Sequence, residues 1–250
     1  MAHFIFGIHA ALSQLEKKSD IVIEALLQDN YEKNRKLISI FQLANQRGVK
    51  ISIVKKKQLD DLVKQANHQG VVLQIKSCQK RYSENDLDGL LDRIVGNPLL
   101  LILDQIQDPH NLGACLRTAL AAGVDVVIAP KDGAASITPV VQKVACGATE
   151  TLPYVQVTNL VRTMKHIQQR GIWITGTSLH TSEYLYETDF TGPVALVIGS
   201  EGGGMRRLVS ENCDYLVKIP MPGKMESLNA SVATGVCLFE AVRQRFLAEN

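Results

Sequence analysis

The amino-acid sequence predicts an α/β protein of two modules: a small one over residues 1–76 and a larger one over 91–250, joined by a linker at 77–90. Three observations carry this. Beyond residue 98, short apolar runs alternate with helix-periodic segments, the pattern of a sheet with helices packed on it. Those runs are almost continuously apolar, as in parallel strands covered on both faces. The stretch Lys76-Ser-Cys-Gln-Lys-Arg-Tyr-Ser-Glu-Asn85 lacks apolar periodicity, and charge changes sign across it, from +6 over residues 1–80 to −4 over 81–250.

The first module opens with an apolar stretch and a helical pattern from Ile8 to Leu15. A strand follows at Ile21–Leu27. The next segment, from Asn34 to Arg47, spaces Leu37, Ile38, Phe41 and Ala44 as a helix does, and Gly48 suits its C-cap. Val49–Val54 reads as a strand, Leu59–Asn67 as a short helix and Val71–Ile75 as a strand. In the second module Leu87–Ile94 reads as a helix, and Asn97-Pro98 breaks the chain before a strand at Leu99–Leu103. Helices are expected at Leu112–Ala122, Pro139–Cys146, Leu160–Gln169 and Asn229–Phe246. The strands between them fall at Val124–Ala129, Ile172–Gly176, Val194–Gly199 and Tyr215–Ile219. From alternation alone the second module is an open, doubly wound sheet.

Composition excludes several function classes. Hydrophobic content of 46% with 21% charged residues is that of a globular protein. Aromatic residues at 5% are too sparse for a nucleic-acid surface built mainly from stacked rings. No apolar run approaches the ~18 residues that cross a bilayer, and the expected location is the cytoplasm. The five cysteines are scattered with no CxxC pair, which disfavours a disulfide framework or a zinc site and suggests buried free thiols. The basic first module suits an accessory surface for a polyanion.

Three polar loops follow three apolar strands, and together they suggest one composite site. Leu101–Asp104 runs into Asp108-Pro-His-Asn111, with Arg117 about a turn and a half further along the helix. Val194–Gly199 runs into Ser200-Glu-Gly-Gly-Gly204, where Glu201 is a lone acid among glycines that let backbone approach a ligand. Tyr215–Ile219 breaks at Pro220, Pro222 and Gly223 and presents Lys224, Glu226, Ser227 and Asn229. Asn111, Ser227 and Asn229 also suit helix caps, and a cap and a site role can coexist. The glycine-rich loop matches no GxGxxG, and no GxxxxGK[ST] occurs, so dinucleotide and nucleoside-triphosphate chemistry are disfavoured.

Three ordered segments carry a specific resemblance: Asp108–Ala119, Val197–Arg206 and Ile219–Ala233. Together they resemble the three motifs of the SpoU (TrmH-type) RNA 2′-O-ribose methyltransferases of the SPOUT superfamily, over most of residues 99–245. The first module, with Gly7-Ile-His-Ala10 and His68-Gln-Gly-Val71, is similar to the substrate-binding domain of the branch that methylates a guanosine ribose in 23S ribosomal RNA. The resemblance implies a deep trefoil knot in the catalytic domain, which alternation would never reveal. It also implies S-adenosylmethionine as cofactor, a homodimer with the site completed near the subunit interface, and no metal.

By the same resemblance Asn111, Arg117, Glu201, Ser227 and Asn229 form the catalytic set. Thr175, Gly176, Gly199, Ile219, Met221, Leu228 and Ser231 hold the cofactor. A free guanidinium stays charged in proteins, so Arg117 suits an electrostatic positioner better than a base. The implied partner is 23S ribosomal RNA or a pre-ribosomal particle. Two alternatives stand beside it: a transfer-RNA 2′-O-methyltransferase of the same superfamily, and a non-catalytic RNA-binding assembly factor that retains the fold.

Overall fold

The computed structural model describes residues 3–17, 19–63, 66–75 and 82–248. It divides the chain into two units, Met1–Gln79 and Lys80–Asn250.

In the first unit the chain runs β1 (His3–Phe6), α1 (Ile8–Lys17), β2 (Val22–Gln28), α2 (Arg35–Gln46), β3 (Lys50–Val54), α3 (Lys56–Leu62) and β4 (Val71–Ile75). The sheet order is β1-β4-β2-β3, with β2 and β3 parallel and β4 antiparallel to both of its neighbours. The opening apolar stretch is thus an edge strand, paired with β4. Ile8, Ala11 and Leu15 of α1 and Leu37, Ile40 and Ala44 of α2 are buried on the sheet with Leu27 and Leu73. Asn34 caps α2, its side chain accepting from the Lys36 N–H at 3.0 Å. The helix α3 starts three residues before the expected Leu59, where the Gln58 side chain reaches back to the Lys55 N–H at 3.1 Å. Residues 64–65, in the expected continuation of that helix, lie outside the described residues.

The second unit continues with β5 (Tyr82–Ser83), α4 (Leu87–Leu91), β6 (Leu99–Leu103), α5 (Pro109–Ala121), β7 (Val126–Pro130), α6 (Pro139–Ala145), α7 (Ala148–Thr151), β8 (Tyr154–Val157) and α8 (Leu160–Gln169). It closes with β9 (Trp173–Thr177), β10 (Val194–Ile198), α9 (Arg207–Ser210), β11 (Tyr215–Val217) and α10 (Ala230–Ala248). The seven strands are parallel, in the order β11-β9-β10-β6-β7-β8-β5. Every residue of β6, β7 and β10 is buried, as their unbroken apolar runs require. One face is covered by α5, α6 and α10, the other by α4, α8 and α9.

Part of the segment read as linker is built into this unit. Tyr82 and Ser83 pair with β8, and Glu84 accepts from Arg162 Nη2 at 2.6 Å and from the Thr158 N–H at 3.2 Å. Residues 76–81 lie outside the described residues. Strand β8 was hidden in the sequence because four residues after Pro153, alternately half-buried and buried, make too short a pattern. The last strand ends at Val217 rather than Ile219. There the Lys218 N–H turns to the Glu183 carbonyl at 2.9 Å, and the Leu185 N–H returns to the Lys218 carbonyl at 2.9 Å.

Candidate active site

The three polar loops leave the C-terminal ends of β6, β10 and β11, where parallel sheets place their ligands. The first is pinned by a fully buried carboxylate. Asp104 Oδ2 accepts from the Arg206 N–H at 2.8 Å, and Oδ1 accepts from Arg206 Nε and Nη2 at 2.8 and 2.7 Å. A backbone bond from the Asp104 N–H to the Ile198 carbonyl, 2.8 Å, completes the tie between the β6 and β10 ends. Sequence reasoning passed over this pair. Its signal was an acid directly after five apolar residues, the same oddity that singled out Glu201.

The glycine-rich loop closes on itself, with Ser200 and Gly204 exchanging N–H···O bonds of 3.0 and 2.9 Å. Gly199 lies so close beneath that a Cβ there would sit 2.2 Å from the Gly204 carbonyl carbon and 2.3 Å from the Met205 nitrogen. Only glycine fits. The loop so folded presents Glu201.

The helix α5 is capped by Asp108, whose side chain accepts from the His110 N–H at 3.0 Å, with Pro109 in its first turn. Asn111 is therefore not the cap, and its amide is free to act across loops. Asn111 Nδ2 donates to Glu201 Oε1 at 2.9 Å, and Asn229 Nδ2 donates to Asn111 Oδ1 at 3.0 Å and also to Glu201 Oε1. The Ala230 N–H adds a fourth contact, to Glu201 Oε1 at 3.3 Å. Asn229 does cap α10: its Oδ1 accepts from the Ser231 N–H at 2.9 Å and from the Ser231 hydroxyl at 2.6 Å. One side chain performs both duties because its oxygen faces the helix and its nitrogen the other loops.

Beside this triad lies a cavity of about 580 Å³, lined by the segments after β9, β10 and β11. Of the residues expected to hold a cofactor, Gly199, Ile219, Met221 and Leu228 line it, as do Glu201 and Ser227. Three do not. Thr175 lies further down β9 and lines a different cavity. Gly176 is packed under Met205 and Cys213, where a Cβ would come within 2.7 Å of both side chains. Ser231 is engaged in the α10 cap. The β9 end contributes Thr177 and Ser178 instead, residues that strand length alone could not place at the cavity. Arg117 is exposed on α5 and makes no hydrogen bond or ion pair among the described residues. Six helical residues put it about 9 Å along the axis and roughly 120° around from Asn111.

The profile of the "SpoU rRNA Methylase family" matches residues 98–239, and that described as "RNA 2'-O ribose methyltransferase substrate binding" matches residues 4–80. The chain belongs to the SpoU rRNA methylase family. It is similar to the 23S rRNA (guanosine-2'-O-)-methyltransferase RlmB of Vibrio vulnificus, 51% identical over 246 residues, covering 98% of each chain. Among solved structures, the SpoU methyltransferase AviRb from Streptomyces viridochromogenes, in complex with the cofactor AdoMet, superposes with a TM-score of 0.73. It is 26% identical and covers 98% of this chain and 91% of its own. The A. aeolicus TrmH/SpoU tRNA modifying enzyme gives a TM-score of 0.57 at 31% identity, covering 66% of this SpoU chain and 85% of its own.

Proposed function

We propose that this chain transfers a methyl group from S-adenosylmethionine to the 2′-hydroxyl of a guanosine ribose in 23S ribosomal RNA. The observation that carries the reading is the Asn111–Glu201–Asn229 triad at the rim of the strand-end cavity, in a chain 51% identical end to end to a protein of that activity. The A. aeolicus relative, a tRNA modifying enzyme, spans only two-thirds of this chain, which favours the ribosomal over the transfer-RNA reading.

The cavity fits the cofactor. Its size is that of a small-molecule site. Ile219, Met221 and Leu228 offer apolar contact for an adenine ring, and the backbone around Gly199 can be approached closely because no Cβ intervenes. When bound, S-adenosylmethionine supplies a methyl group on a good, neutral leaving group.

The chain's own residues then serve the nucleophile, a ribose hydroxyl barely ionised at neutral pH. Glu201 is held by three N–H donors on Oε1, which leaves Oε2 to accept the hydroxyl proton or orient the group that does. Asn111 and Asn229 fix the carboxylate, and Ser227 on the cavity wall adds a hydroxyl contact. Arg117, exposed and without an ion pair among the described residues, neutralises a phosphate of the target nucleotide.

We further assign a homodimer, in which the partner's surface brings Arg117 and the triad to one substrate. The half-exposed Val232 and Phe239, seven residues apart on α10, form an apolar stripe suited to such a contact. The C-terminal segments are assigned a trefoil knot, and the protein a place in the cytoplasm; among the described residues no helix is long and apolar enough to cross a membrane. Lys55, Lys56 and Lys57 of the first unit bind RNA electrostatically, so charge reversal there should weaken RNA affinity and spare the cofactor.

The decisive experiment is transfer of labelled methyl to ribosomal RNA from a strain lacking the enzyme, with Glu201→Ala in parallel. Label recovered as 2′-O-methylguanosine in large-subunit RNA, and lost in the variant, is expected. Label in transfer RNA alone, or cofactor binding without turnover, would transfer the chain to one of the alternative readings.

A further inference from the structure

A second cavity, of about 470 Å³, opens in the second unit away from the triad, and none of the methyl-transfer residues lines it. Trp173 and Thr175 point to the same face of β9, and Tyr215 of β11 pairs directly with Thr175. The Trp173 and Tyr215 rings meet at a centroid distance of 5.8 Å and an interplanar angle of 43°, yet remain 55% and 43% exposed. Glu183, Glu187 and Asp189 line the cavity with them, and among the described residues no cationic residue lines it.

Glu183, Glu187 and Asp189 are exposed at the edge of this cavity. The Glu183 and Glu187 carboxylates make no hydrogen bond or ion pair among the described residues, although both line the same cavity. Asp189 is oriented by the Thr191 N–H and hydroxyl, at 2.9 and 2.7 Å, and these bonds hold its carboxyl below the usual range. Independently, Thr175 is 98% buried, lines the cavity, and its hydroxyl has no hydrogen-bond partner among the described residues. Among the described residues no side-chain polar atom closed off from solvent lacks a partner, so this hydroxyl opens to the cavity and takes its partner from it.

We propose that this cavity binds an arginine side chain presented by a basic segment of a second protein. Aromatic faces attract a guanidinium, the carboxylates complement its charge, and the Thr175 hydroxyl accepts one of its N–H groups. The same carboxylates repel phosphate, so this face does not carry RNA. The rings are exposed at the mouth rather than enclosed, which suits a side chain delivered from another surface; tryptophan, tyrosine and arginine are the residues that anchor protein interfaces. The proposal is independent of the methyl-transfer reading.

Trp173 is the chain's single tryptophan, so intrinsic fluorescence reports on this cavity directly. The full-length protein is titrated with an acetylated, amidated Gly-Arg-Gly-Arg-Gly peptide, with its lysine counterpart and spermidine in parallel. Anisotropy of a dye-labelled peptide serves as a second readout. The expected result is saturable, salt-sensitive binding that prefers arginine over lysine. Combined Glu183→Gln and Glu187→Gln should weaken it at least about tenfold, with the far-ultraviolet circular dichroism and methyl transfer unchanged. Absence of binding in both readouts, undiminished binding by the double variant, or saturation by spermidine at equal or lower concentration would each overturn the proposal.

Discussion

The side-chain amide of Asn111 donates to the carboxylate of Glu201 across 2.9 Å, although 90 residues separate them in the chain. The bond joins the loop after β6 to the loop after β10, and Asn229 closes the ring from the loop after β11. The three residues act as one unit. Glu201→Ala strands three N–H donors and removes the proposed proton acceptor, and it should lower single-turnover methyl transfer by about a hundredfold or more. Asn111→Ala and Asn229→Ala should each cost less, and the double variant less than the product of the two. Independent, multiplicative losses would show that the triad is not coupled.

Gly199 tests the loop's close approach. A Cβ there meets backbone atoms of Gly204 and Met205, which cannot rotate aside as a side chain could. Gly199→Ala should therefore destabilise the fold by about 1–3 kcal/mol and weaken cofactor binding in calorimetric titration. At Gly203 the nearest atom is the Ser200 hydroxyl at 3.4 Å, so Gly203→Ala should unfold within ~0.5 kcal/mol of wild type in urea.

Asp104 is a second test of what holds the loops in place. It is wholly buried, and its charge is answered by Arg206, which is partly exposed. Asp104→Ala should cost about 1–3 kcal/mol of folding stability, because it strands the Arg206 N–H while the part-exposed guanidinium turns to solvent. Arg206→Met should also destabilise, since it leaves a carboxylate uncompensated. A chemical-denaturation cycle should then find the double variant less destabilised than the sum.

The thiols provide a pH test. Burial, the largest influence, pushes Cys115 up to about 11 from an ordinary value of 9.0, and Cys237 to about 12. A raised folded value means that the native state holds the proton longer than the unfolded chain. The resulting stability is complete below pH 9 and is lost as pH rises through 11 to 12. At pH 8, iodoacetamide should modify the exposed Cys146 in the native protein and reach Cys115 and Cys237 only after unfolding, as peptide mass mapping would show. The expectation that the cysteines are all buried fails at Cys146, which lies in a left-handed turn after α6. Cys78 lies outside the described residues.

Much of the fold was legible because its signals are local. Continuous apolar runs marked β6, β7 and β10, and the 3.6-residue spacing marked α2, α8 and α10, each within a few residues of its observed ends. The residues of the triad were legible too, as polar side chains clustered just past apolar strands. Their division of labour was not. Asn111 could equally have capped α5 until the structure showed Asp108 in that place.

By itself, the sequence determined most of the helices and strands and the polar loops that follow the apolar strands, since these follow from side-chain periodicity and composition along a single stretch of chain. Only the tertiary structure decided which strand ends lie together. The order β11-β9-β10-β6 sets the loops after residues 177, 198 and 217 around one cavity and leaves Thr175 and Gly176 outside it. Strand order is a matter of long-range pairing, and nothing in an apolar run such as Leu-Leu-Leu-Ile-Leu says which other apolar run it lies beside. The partners of Glu201, and the burial of Thr175, follow from that arrangement alone.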